Sequence, residues 1–127
     1  MNSISIPKRT LGDTQRLFSR CVARLILKIT SLGYECTLGD AYRDRRCFGM
    51  LGTWKGYGHR NSCHKLRLAV DLNLFRGGDY LMRTEDHREI GVWWEQLGVQ
   101  EGIALRWGGR FTSPDGNHYS CEWQGYQ

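Results

Sequence analysis

Two short stretches of the chain carry side chains that could act together on one ion. They are Ser62-Cys63-His64-Lys65-Leu66-Arg67-Leu68-Ala69-Val70-Asp71 and Asp115-Gly116-Asn117-His118. His64, Asp71 and His118 offer two imidazoles and a carboxylate. That is a three-ligand set for Zn²⁺ which leaves the fourth position open to water. An open position separates a catalytic zinc from a structural one. Asp115 is a second carboxylate close by and a natural general base for that water. Any one of these residues alone reads as an ordinary surface or packing residue, so the case depends on the elements that would bring them together.

The strand signal around Asp71 is the clearest in the chain. From Leu66 to Phe75, the residues Leu66, Leu68, Val70, Leu72 and Leu74 alternate with Arg67, Ala69, Asp71 and Asn73. The apolar set must face a core, so Asp71 points to the opposite face beside the small Ala69. His64 lies seven residues before Asp71, an odd separation that an unbroken strand would send to the other face. His64 must therefore sit in a loop or beyond a bulge to reach the same ion. His118 opens a final strand over Tyr119 to Trp123, preceded by the turn Ser113-Pro114-Asp115-Gly116-Asn117.

The remaining elements follow from spacing and punctuation. Residues 1–12 read as a loose entry. Asp13 or Thr14 caps a helix running to about Leu32, stopped by Gly33, with Leu17, Cys21, Leu25, Ile29 and Leu32 on one face. Arg16, Arg20, Arg24 and Lys28 line another face, read as solvated. Tyr34 to Tyr42 is a strand with a turn at Gly39-Asp40, and residues 44–63 form a long loop rich in Gly and Arg. After the turn Arg76-Gly77-Gly78-Asp79, Tyr80 to Met82 returns as a short strand. Thr84 then caps a helix from about Glu85 to Leu97, ended by Gly98, and Ile103 to Phe111 is a strand. Helices flanking a small, mostly antiparallel sheet make an α+β fold, and 127 residues make one domain over 1–127.

Composition narrows the partners. There are 18 Lys and Arg against 13 Asp and Glu, a formal net charge of +5, which favours an anionic partner such as nucleic acid, an anionic membrane or a wall polymer. The five cysteines include no C-x-x-C pair and Met1 to Gln15 is polar, so the thiols read as free in a protein made in a cytoplasm without a signal peptide. No apolar run is long enough to span a bilayer. His59 and His87 read as surface residues, with His59 a candidate for a cleft wall. Cys63 reads as a free thiol turned away from the ion, and Trp93 and Trp94 as helix packing.

Ser62-x-His64-x-x-x-x-Ala69-x-Asp71 followed by Asp115-Gly116-x-His118 resembles the zinc D,D-carboxypeptidases and phage L-alanyl-D-glutamate endolysins. These are peptidoglycan peptidases related in fold to the zinc domain of hedgehog proteins. Ala41-Tyr42-Arg43 resembles the family's Gly-Tyr-Arg segment, and Trp107-Gly108-Gly109 its Trp-Gly-Gly. The likeness runs from about residue 34 to 123. It implies that His64, Asp71 and His118 hold Zn²⁺, that Asp115 is the base, that Arg43 stabilises the oxyanion, and that Ser62 orients a ligand or substrate. Two positions depart from the pattern. Arg67 stands where the family has Gly, with a place near the substrate expected for it, and Ser120 stands where the family often has Glu.

The resemblance implies a zinc peptidase that cuts the stem peptide of bacterial peptidoglycan as an L-alanyl-D-glutamate endopeptidase, in the manner of a phage endolysin. Such an enzyme is monomeric, made in the host cytoplasm, and acts at the wall or periplasm. A D-alanyl-D-alanine carboxypeptidase is the alternative within the class. A basic nucleic-acid-binding module is the alternative outside it. Against the latter, the basic residues are spread along the chain and no nucleic-acid motif is present.

Overall fold

A computed structural model describes residues 8–127, so the first part of the expected loose entry, residues 1–7, lies outside the described residues. The first helix, α1 (Leu11–Ser31), starts earlier than expected because Thr10 caps it. Thr10 Oγ1 accepts from the Asp13 backbone N–H at 3.0 Å and the Asp13 carboxylate accepts from the Thr10 N–H at 3.1 Å, a reciprocal capping box. Its buried stripe is Thr14, Phe18, Cys21, Leu25 and Ile29, with Phe18 in the place expected for Leu17. The basic face is largely partnered: Arg16 pairs with Asp13, Arg24 pairs with Glu101, and Lys28 lies over Trp93.

Five strands form one sheet: β1 (Glu35–Leu38), β2 (Ala69–Arg76), β3 (Asp79–Leu81), β4 (Leu105–Trp107) and β5 (His118–Cys121). The order is β1-β2-β5-β4 and every pairing is antiparallel. β3 pairs with the distal end of β2. A one-turn helix, α2 (Arg45–Phe48), interrupts the long loop, and α3 (Arg88–Glu101) packs with α1 on one sheet face. Gly98 does not end α3. It sits inside the helix, where a Cβ would come within 3.0 Å of the Ile103 carbonyl and Leu105, and Gly102 in the left-handed region is the stop.

The alternation read for β2 is observed. Leu68, Val70, Leu72 and Leu74 are buried, as are Trp94 of α3 and Tyr119 of β5. The strand itself begins only at Ala69. Ahead of it, Cys63–Leu66 forms a 3-10 turn closed by Arg67 in the left-handed region, at φ 57°. The fold is therefore α+β, with a small antiparallel sheet carrying helices on one face. No described helix is long and apolar enough to cross a membrane.

Candidate active site

The turn at Cys63–Leu66 supplies the loop position that His64 needs. Ser62 caps it, its Oγ accepting from the His64 N–H at 3.2 Å. Strand register does the rest. Asp71 and His118 are directly paired across β2 and β5, so both side chains leave the same sheet face. Donor atoms from His64, Asp71 and His118 all lie within 4.8 Å of one another. His64 Nε2 and His118 Nδ1 are each 3.3 Å from Asp71 Oδ1.

The local chemistry fits a cation at this point. His64 Nδ1 lies 2.8 Å from the Ala41 carbonyl. A carbonyl only accepts, so Nδ1 carries the proton and Nε2 turns a lone pair toward the Asp71 carboxylate. Two lone pairs face to face repel unless a cation lies between them. His64 Nε2, Asp71 Oδ1 and His118 Nε2 are buried and make no hydrogen bond. Burial raises the Asp71 pKa, but protons carried by the facing imidazoles outweigh it and hold the carboxyl well below the usual carboxylate range, and a cation in place of those protons would act in the same direction. The residue is thus an anion, ready to ligate. Two imidazoles and one carboxylate suit Zn²⁺.

Arg43 lies beside this group, with Nη2 4.0 Å from Asp71 Oδ2. Its Nε donates to Asp40 at 3.2 Å and its Nη1 to Ser62 Oγ at 3.1 Å. The guanidinium also lies over Tyr57, 5.2 Å from the ring centre. Gly58 is required here, because any Cβ would collide with Arg43 and the backbone has φ 89°. By contrast, Arg45 and Arg46 are exposed on α2.

A cleft of about 670 Å³ opens beside His64 and His118. Arg43, Ser62, His64, Asp115 and His118 line it, as do His59, Phe111 and Tyr126. Partial desolvation raises the Asp115 pKa although the residue stays exposed; the nearby His118 works against this and the Asp71 charge adds to it. A carboxylate with raised basicity is the better proton acceptor. Arg67 is not a cleft residue and does not lie on the strand face expected for it. Its left-handed backbone explains why glycine suits that position, and its guanidinium stacks 3.9 Å from the centre of Tyr42. His87 is not a surface residue: it is buried and its Nδ1 is 2.8 Å from the Tyr119 hydroxyl. Burial pushes the His87 pKa down to about 4. Cys63 is buried and free, and burial pushes its thiol up to about 12.

Sequence reasoning missed Asp40, Phe111 and Tyr126. Asp40 lies three residues before Arg43, a spacing that signals a local ion pair. Tyr126 is brought in by the turn in which Trp123 and Tyr126 exchange backbone hydrogen bonds, and by the Cys63 N–H donating to the Gln127 carbonyl at 3.3 Å. No spacing rule announces that contact.

A cleft lined by two imidazoles, a carboxylate and an arginine, with the half-buried Asp71 beside the imidazoles, is the kind of site that hydrolases use. Residues 55–121 match the profile of the peptidase family described as D-alanyl-D-alanine carboxypeptidase. The match spans more than half of the chain and includes His64, Asp71 and His118, and the protein belongs to that family. A comparison with curated protein sequences yields no match. Among solved structures, the fold is similar to the L-Ala D-Glu endopeptidase ChiX of Serratia marcescens, with a TM-score of 0.61 at 19% identity. The alignment covers 94% of this chain and 90% of that one.

Proposed function

We propose that the chain is a single-domain zinc peptidase, over residues 1–127, acting on the stem peptide of bacterial peptidoglycan. The observation that carries this reading is the convergence of donor atoms from His64, Asp71 and His118 beside a cleft lined by Asp115 and Arg43. His64, Asp71 and His118 would hold the ion. Zinc in that place supplies a water of lowered pKa and polarises the scissile carbonyl. Asp115 accepts the proton of the attacking water and returns it to the leaving amine. Arg43, fixed by Asp40 and Ser62, donates to the oxyanion as charge develops. Ser62 keeps Arg43 and the His64 turn in one arrangement.

Endopeptidase cleavage between L-Ala and D-Glu is the mode we favour, supported by the activity for which ChiX is named and by the fold shared over most of both chains. The family's own description supports D-alanyl-D-alanine carboxypeptidase activity as the second reading. The basic charge suits anionic wall material, and the reading includes a monomer made in a host cytoplasm and acting as an endolysin. Purified peptidoglycan digested with the zinc-loaded protein tests both modes. Mass spectrometry of new termini should show free L-Ala carboxyl and D-Glu amino ends. Release of D-Ala alone would select the second mode. No new terminus with zinc present would reject the function.

A further inference from the structure

The Asp115 carboxylate makes no hydrogen bond among the described residues. Its position must come from its main chain. Four contacts hold that segment. The Asp115 N–H donates to the Gly108 carbonyl at 2.9 Å, and the His118 N–H donates to the Asp115 carbonyl at 3.1 Å. The Leu72 N–H donates to the Asn117 carbonyl at 2.9 Å. The fourth is a side chain: the indole N–H of Trp107 donates to the Gly116 carbonyl at 2.8 Å.

Trp107 is held unusually firmly for this task. Its backbone lies in β4, paired with Tyr119 of β5. Its ring is 1% exposed. Gly91 and Gly109 press against that ring so closely that a Cβ on either would collide with it. Arg88 and Arg110 lie over it, at 5.5 Å and 5.7 Å from the ring. Gly116, the acceptor, is buried against Thr84, where a Cβ would come 2.6 Å from the Thr84 Cα. Gly108 has the Asp115 carbonyl against the place where a side chain would begin. The Trp-Gly-Gly segment therefore packs directly under the turn that carries the base.

We infer that Trp107 is a positioning residue for Asp115, acting through the indole bond to the Gly116 carbonyl. This rests on the reading of Asp115 as the general base. His118 belongs to the β2–β5 ladder and keeps its register without that bond. Loss of the indole N–H should therefore shift the base and spare the ion. A displacement of about 1 Å at a catalytic group can cost on the order of 10²-fold in rate.

The test replaces the N–H while keeping the ring: benzothienylalanine at position 107, with Trp107→Phe beside it. Trp94 is the control. It too is buried, and its indole N–H donates at 3.0 Å to the Arg106 carbonyl and not to the 115–118 turn. Replacement at 107 should lower kcat about tenfold, with KM and bound zinc unchanged. The same replacement at 94 should cost similar stability and leave kcat within about twofold. In an Asp115→Asn background, the change at 107 should lower kcat by no more than about twofold, since its target is already gone. A full additive loss in that background, an unchanged kcat at 107, or an equal kcat loss at 94 would overturn the inference. If Trp107→Phe fails to fold, the isosteric replacement decides. Full activity of Asp115→Asn by itself would reject the base assignment instead, so the two failures are distinguishable.

Discussion

The β2–β5 seam and the 42–61 loop both face the cleft, but they hold their side chains in different ways. In the seam, Asp71 and His118 are placed by strand register, and neither can move without breaking ladder bonds. In the loop, Arg43 is placed by side-chain contacts with Asp40, Ser62 and Tyr57, next to residues that are mostly exposed. The first arrangement fixes two of the three donors proposed to hold an ion. The second leaves substrate contacts adjustable by single substitutions. Under the proposed function, residues for ion binding and residues for substrate handling would occupy parts of the fold with different tolerance for change.

The largest expected effect belongs to Asp115→Asn, on the turn that leads into the seam. It should retain zinc, because Asp115 is not one of the three donors, while turnover falls by roughly 10²- to 10⁴-fold. Metal analysis alongside peptidoglycan digestion checks both halves, and loss of zinc in this variant would merge the two regions. Next is Arg43→Ala in the loop, where we expect kcat to fall about 10²- to 10³-fold with zinc content unchanged. Arg45→Ala and Arg46→Ala carry the same charge change on exposed sites. Their effect should be a few-fold at most and confined to salt-dependent binding. Equal losses at all three arginines would show that the loop acts by charge alone.

A third experiment probes the support beneath the seam. His87 is buried against Tyr119, and burial lowers its pKa from 6.5 to about 4. Below about pH 6.5 the unfolded chain takes up a proton that the folded chain refuses until about pH 4. Stability should therefore fall as pH drops through that window, by about 3 kcal/mol in all. Urea unfolding of wild type and His87→Gln in chelator, at several pH values, isolates this contribution. The variant should show a flatter dependence, and parallel curves would refute the assignment. The smallest effect belongs to Arg67→Gly. Relief of the left-handed backbone is offset by loss of the Tyr42 stack, so stability should change by less than about 1 kcal/mol. As Arg67 does not line the cleft, kcat should not move.

Much of the site is legible in the chain's residue pattern, because alternation reports which face a residue leaves from. Asp71 opposite the apolar Val70 and Leu72 is the plainest case, and His64 meets its condition by lying in a turn. What alternation cannot report is what the rest of the chain lays over a residue. His87 looks like surface at a helix start, yet Tyr119 covers it. Gly98 looks like a stop because glycine commonly ends helices, whereas here its missing side chain admits Leu105. Arg67 by its own residue type gave no sign of its positive φ, and the hint lay in the Gly that the resembled family carries at that position. Tyr126 reaches the site through a contact that no local pattern encodes.

The five cysteines offer a practical consequence. Cys21, Cys63 and Cys121 are buried, Cys36 is half-buried, and Cys47 alone is exposed. Burial raises the thiol pKa of the other four, which slows their reaction with electrophiles. A thiol-directed dye added to the native protein should therefore couple at Cys47, without removal of any other cysteine. That attachment point adjoins Phe48, whose ring meets Tyr57 at 4.9 Å and lies 6.0 Å from the Arg43 guanidinium. The unaltered chain thus carries a built-in anchor for an optical reporter at the rim of its own cleft.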